Sequence, residues 1–226
     1  MPGVTFGEVR VFSVDLDQPA DVVERLDAML PSDERDAPAP IRVARATARI
    51  VLADALHVSP ADVRISRHCA HCGHPTHGRP TVLGEDHLSF SLSHSGSFAV
   101  IGLADDDTRV GVDVEEIRAR PRLAGLAARV LNDDEHAEWL ALDDDDEQLR
   151  SFLRSWTAKE AYLKALGIGI ATKLRDVPAH VGGWQTRRLD VGPDRIAALA
   201  VDRTEFDVHQ IALDSPLAMS NGGTAG

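Results

Sequence analysis

The stretch RSWTAKEAYLKALG, residues 154–167, decides how the rest of the chain is read. Apolar residues recurring every three or four positions predict an amphipathic helix, with Leu149, Phe152, Trp156, Leu163 and Gly167 along one stripe. That stripe runs through Glu160. A second copy of the helix lies upstream: ATARIVLADAL (residues 46–56) aligns with WTAKEAYLKAL (residues 156–166), and Thr47, Ala48, Ala55 and Leu56 recur as Thr157, Ala158, Ala165 and Leu166. The flanks repeat too, VFSVDLD with RVGVDVE and MLPSDE with VLNDDE. We read a duplicated α+β unit joined near residues 104–108. Its halves are 1–106 and 107–226, expected to pack as a pseudo-dimer. Ile50 and Asp54 stand where the second copy has Glu160 and Lys164, so one site, at the interface, is expected.

Composition narrows the functional classes. The 226 residues are 43% hydrophobic and 27% charged, as in ordinary folded domains. No apolar run approaches the roughly 20 residues of a membrane span. The opening MPGVTFGEVR lacks the basic and apolar regions of a signal peptide, so a cytoplasmic protein without a membrane partner is expected. A net charge of −12 disfavours a nucleic-acid partner, since phosphate backbones need a basic surface. Among 24 Lys and Arg only Lys159, Lys164 and Lys173 are lysines, and two of them flank Glu160. Lys and Arg are not interchangeable at chemical sites.

Pattern and turn signals predict a strand at residues 8–17, helices at 21–30 and 41–58, and a β-hairpin from HLSFSLS and SFAVIGLA that turns around residues 94–97. A strand at 109–117, helices at 122–131 and from 132, an acidic turn DDDD and the helix quoted above come next. Short strands TRRLDV, RIAALAV and FDVHQIAL close the pattern.

In RVGVDVEEI, Val110, Val112 and Val114 point to one face and Gly111, Asp113 and Glu115 to the other. Paired carboxylates on one face repel unless a cation or water separates them. An isolated D-x-E is most often a solvated sheet face, but Glu160 in an apolar stripe is costly to bury unpaired. Three such carboxylates can share a hard cation such as Mg²⁺, which keeps positions for water and phosphate. Glu160 and Lys164 also form an i, i+4 pair, which on a surface contributes only about 0.3–0.5 kcal/mol.

GVDVEEI followed by SWTAKEAYLKALG resembles the paired signature motifs of the 4′-phosphopantetheinyl transferases, of the surfactin-synthetase-activating type. FSLSHSGSFAVIGLA is similar to that family's His-containing hairpin and CGHPTHGRP to the loop before it. The resemblance spans roughly residues 35–174. It implies a pseudo-dimer of α+β halves that moves the 4′-phosphopantetheine arm of coenzyme A onto a serine of an apo acyl or peptidyl carrier protein, releasing 3′,5′-adenosine diphosphate. It implies Mg²⁺, with Mn²⁺ as an alternative, held by Asp113, Glu115 and Glu160, and a monomeric enzyme. The serine's base is then Glu160 or a metal-bound water. Lys164 neutralises or protonates the leaving diphosphate, with Lys159 as a second phosphate contact. Ser93 and His94 resemble the family's coenzyme-phosphate contact, and Gly78, Arg79 and Pro80 its Gly-Lys-Pro near the adenine, with Arg for Lys. The family's arginine before the first repeat helix has no clear match in APAPIRVARATAR; Arg45 and Arg49 are the nearest candidates for the 3′-phosphate, followed by Arg35.

HCAHCGHPTHG also fits a zinc site on Cys69, Cys72 and two of His68, His71, His74 and His77, although one CxxC is a weak signal. Two other classes compete with the transferase: a metal-dependent phosphohydrolase acting on a nucleotide-like diphosphate, and a catalytically silent acidic binding module.

Overall fold

The computed structural model describes residues 7–68, 73–74, 78–105, 108–168, 172–178 and 181–219, a mixed α+β structure. Strand β1 (Glu8–Asp15) leads into α1 (Ala20–Asp27), a 3-10 turn Ser32–Glu34, and α2 (Ala39–Leu56). A second 3-10 turn, Pro60–Asp62, precedes the two-residue strands β2 (Ile65–Ser66) and β3 (Thr81–Val82), then the hairpin β4 (Ser89–Ser95) and β5 (Phe98–Ala104). The plan then recurs: β6 (Val110–Glu116), α3 (Leu123–Val130), α4 (Asp133–Leu140), α5 (Asp145–Leu166), a 3-10 turn Leu174–Asp176, β7 (Gln185–Leu189) and β8 (Arg195–Val201). Strand β9 (Asp207–Leu213) and a turn Pro216–Ala218 follow.

The repeat is carried into the sheets. The first has the order β4-β5-β1-β9 and the second β6-β8-β7. Each half thus builds an antiparallel trio in which a hairpin's second strand pairs with the half's first strand. The added strand β9 pairs in parallel with β1, and Leu217 beyond it is buried in the core beneath α2. The tail, which the sequence reading keeps in residues 107–226, therefore lies on the first sheet. A strand's choice of edge is a non-local matter that its own pattern does not encode.

Helix ends follow local chemistry. The acidic run read as a turn is instead the start of α5: Asp144 caps it by accepting from Glu147 N, and Asp145, Asp146 and Glu147 face the positive end of the helix dipole. Gly167 ends it at φ 74°, a left-handed position that favours glycine. At α4, Asn132 and Glu135 form a reciprocal capping box. The short strands β2 and β3 and the 3-10 turns have no counterpart in the sequence reading, being too brief to show a period.

The two sheets share an apolar core, in which Val9, Val11 and Val100 meet Val110, Val112, Val114, Leu199 and Val201. Helix α2 covers the other face of the first sheet, over Phe12, Phe90 and Ile101. Helix α5 lies across β6 and β8. At the seam between halves, Ser89, Ser91, Ser93 and Ser95 of β4 accept the backbone N–H groups of Val110, Val112, Val114 and Glu116 of β6, at 3.1, 3.1, 3.4 and 3.1 Å. A comb of hydroxyls thus satisfies the β6 edge where a strand would otherwise be needed.

Candidate active site

Gly111 lets α5 settle on β6. A Cβ there would sit 2.0 Å from the Ala161 carbonyl oxygen and 2.6 Å from Ala165 N. Two residues along the same face of β6, this close approach brings Lys164 onto Asp113. The Lys164 ammonium donates to Asp113 Oδ1 at 2.6 Å and to Ser93 Oγ at 2.8 Å, while Ser93 Oγ donates to the same Oδ1 at 2.8 Å. Three elements from both halves, β4, β6 and α5, therefore meet at one oxygen. Asp113 is 5% exposed, and its Oδ2 is buried without a hydrogen-bond partner. Burial raises its carboxyl pKa, opposed by Lys164 and the Ser93 hydrogen bond.

Glu115 is held in the same manner: its Oε2 accepts from Ser95 Oγ at 3.1 Å and from Arg120 Nη2 at 2.6 Å. Glu160, one helical turn before Lys164, is half-buried. Its pKa is raised by burial first and then by Asp113, with Lys164 opposing and Glu115 adding. The three carboxylates expected to act together thus share one electrostatic neighbourhood. Among the described residues, however, no group of three His, Cys, Asp or Glu side chains is spaced as a ready-made metal site. Lys164 and Arg120 stand against the carboxylates instead. The donor set nonetheless suits a hard divalent cation: all three are carboxylates, and the orphaned Oδ2 of Asp113 needs a partner.

Beside this cluster opens a pocket of about 380 Å³. Leu163, Lys164 and Gly167 form one wall, Arg45 of α2 another, and Gly78, Arg79, Pro80 and His94 complete it. The structure so brings together Arg45, Gly78, Arg79, Pro80, His94 and Lys164, with Ser93 at the junction. Arg67, which sequence reasoning missed, lines it as well; burial and Arg45 lower its pKa. No signal marks it, because the residues between Arg67 and Gly78 separate it from the motif it joins. The His94 pKa is likewise lowered, by burial and then by Lys164 and Arg45. Arg79 donates to Ser89 Oγ. Among the described residues no carboxylate lines this pocket, although Glu34 stands 3.9 Å from Arg45 and Asp113 pairs with Lys164.

Two expected phosphate contacts need correction. Lys159 is 3% exposed and donates to Glu135 Oε2 at 2.6 Å and to Val130 O at 2.9 Å, away from the Asp113 cluster. Arg49, also 3% exposed, binds Glu34 through two nitrogens at 2.9 and 3.0 Å. The reason is the duplication itself: Arg49 and Lys159 are equivalent, and so are Glu34 in MLPSDE and Glu135 in VLNDDE. Each half uses this cation to tie its helix to the segment before it. Arg35 donates to Leu30 O and does not line the pocket. Cys69, His71, Cys72 and His77 of the zinc reading lie outside the described residues.

The family model described as the 4′-phosphopantetheinyl transferase superfamily matches residues 109–212, a span that holds Asp113, Glu115, Glu160 and Lys164. The chain is also similar to the 4′-phosphopantetheinyl transferase HetI of Nostoc sp., with 31% identity over 199 residues covering 82% of this chain and 79% of that protein. The chain belongs to the 4′-phosphopantetheinyl transferase superfamily. Membership makes it an enzyme of phosphopantetheinyl transfer. Two further superfamily members are similar to it: ffp of Bacillus subtilis, 26% identical over 185 residues covering 75% of this chain and 77% of its own, and psf-1 of Bacillus pumilus, 35% identical over 139 residues covering 60% and 56%. Among the described residues, no helix is long and apolar enough to cross a membrane.

Proposed function

We propose that this superfamily member, of the surfactin-synthetase-activating type, transfers 4′-phosphopantetheine from coenzyme A to a serine hydroxyl of an apo acyl or peptidyl carrier protein, with Mg²⁺ as cofactor. It acts as a cytoplasmic monomer. Its halves, divided near residue 106 with β9 returning to the first, form a pseudo-dimer with the active site between them. The observation that carries this reading is the junction of Ser93 from one half with Asp113 and Lys164 from the other, beside a pocket whose charged lining residues, among those described, are all basic.

The pocket residues Arg45, Arg67 and His94 hold coenzyme phosphate; an anion relieves their mutual repulsion, which supports the assignment. Gly78, Arg79 and Pro80 flank the adenine. Asp113, Glu115 and Glu160 hold Mg²⁺, which when bound offsets negative charge on the pyrophosphate oxygens. In the transfer, the serine oxygen forms a bond to the β-phosphorus of coenzyme A, and the bond from that phosphorus to the bridging oxygen breaks. The serine proton goes to Glu160, a half-buried carboxylate in the same electrostatic neighbourhood as Asp113 and Lys164. Lys164 shifts from Asp113 to the departing 3′,5′-adenosine diphosphate, where charge is building.

The test incubates purified protein with Mg²⁺, coenzyme A and a panel of apo-carriers and reads each carrier's mass. One phosphopantetheine gained by a carrier, and none with Asp113→Asn, is the expected result. Coenzyme A cleaved equally well without any carrier would overturn it in favour of a phosphohydrolase.

A further inference from the structure

The four serines of the β4 comb use their single hydroxyl proton differently. Each accepts a backbone N–H from β6, but only Ser93 and Ser95 also donate to a carboxylate. Ser93 lies in the coenzyme motif. Ser95 lies in the same hairpin motif, where the sequence reading gives it no role, yet its hydroxyl and Arg120 both bind Glu115 Oε2, and among the described residues Oε1 carries no hydrogen bond. Asp113 repeats the arrangement: one oxygen is held by a serine and a cation, and the other is left over.

We propose that Ser95, with Arg120 on the same oxygen, is a positioning residue that fixes Glu115 so that its other oxygen is presented to the divalent cation. This rests on the reading of Asp113, Glu115 and Glu160 as metal ligands. A glutamate side chain loses rotamer freedom when immobilised, and an anchor already in place removes that cost from metal binding. Ser95 is 8% exposed, so water is poorly placed to replace its hydroxyl. The first half thereby completes a metal site whose ligands all belong to the second.

Mg²⁺ titration by calorimetry on the full chain, paired with thermal melts, tests this. Ser95→Ala and Ser91→Ala each remove one hydroxyl from the comb, orphaning Glu116 N and Val112 N respectively, and should lower the melting temperature by similar amounts. Only Ser95→Ala should weaken Mg²⁺ binding, by about tenfold, as outer-shell partners of metal ligands typically do. Ser95→Thr keeps the hydroxyl and should restore the affinity. If Ser95→Ala does not fold, Ser95→Cys, a weaker donor of similar shape, should shift affinity in the same direction. Wild-type affinity in Ser95→Ala or Ser95→Cys, alongside lost binding in Asp113→Asn, would overturn the proposal and leave the ligand reading intact. Unchanged binding in Asp113→Asn would overturn both.

Discussion

Replacing Lys159 by methionine separates a structural cation from a catalytic one. The substitution keeps length and apolar bulk but removes the ammonium from Glu135 Oε2 and from the Val130 carbonyl. The lysine side chain is 4% exposed and that of Glu135 17%, so solvent replaces little of what is lost. Breaking a buried pair typically costs about 3–5 kcal/mol, because the surviving charge remains without its partner. Glu135 keeps the Asn132 N–H at 2.8 Å, which argues for the lower end. At about 2–4 °C per kcal/mol for a chain of this size, a loss of about 3 kcal/mol lowers the melting temperature by about 6–12 °C. Adding Glu135→Met should recover part of the loss, since an apolar pair of similar volume can replace an ion pair. Thermal melts of both variants are to be read beside the KM for coenzyme A measured at 20 °C, which should stay near wild type. A Lys159→Met protein that melts like wild type but has a tenfold higher KM would refute the reasoning and return Lys159 to the phosphates.

Ile50→Glu should destabilise by at least about 3 kcal/mol, because Ile50 is 2% exposed among Val14, Leu16 and Leu26. Glu160→Ile should leave metal-free protein as stable as wild type or more so, though inactive, by relieving repulsion with Asp113 and Glu115; melts without Mg²⁺ decide both. Gly111→Ala should prevent α5 from seating, since the new methyl meets backbone, whereas Gly125→Ala in α3 meets nothing within 4 Å and should stabilise by about 0.5–1 kcal/mol; circular dichroism and melts compare them. His94 should titrate below the usual value near 6.5, since burial, Lys164 and Arg45 all disfavour its charged form. Its contribution to stability is then present above that value and lost as pH falls through the folded pKa. Adenosine 3′,5′-bisphosphate should raise this pKa in an NMR titration, and no change would separate His94 from the phosphates.

The order of the elements was legible because it lies in spacing: a strand, helices and a hairpin recur in the same order, and Ile50 is buried while Glu160 is half-buried. Strand alternation put Asp113 and Glu115 on one face, but Lys164 was read as the i, i+4 partner of Glu160, and its ion pair with Asp113 was not anticipated. Lys159 and Arg49 misled because a charge shows in sequence while its partner does not. The matching glutamates of MLPSDE and VLNDDE were nonetheless there to be aligned. Ser89, Ser91 and Ser93 were read as hairpin alternation and Ser95 as part of the turn; that all four face the edge of β6 depends on how the strands dock, which neither strand encodes. Arg67 depended on loop closure, and the placement of β9 on a choice between sheet edges.

The two halves close equivalent strand edges by different means. The outer edge of β1 is taken by β9, and the outer edge of β6 by serine hydroxyls. A protein made by copying one unit carries a hazard: whatever lets the second copy dock on the first would let a third dock on the second, without end. Here the docking edge of any further molecule arrives already occupied by its own β9. The β1 edge is thus closed to docking of that kind, and β9 in its place becomes the outer strand of the sheet.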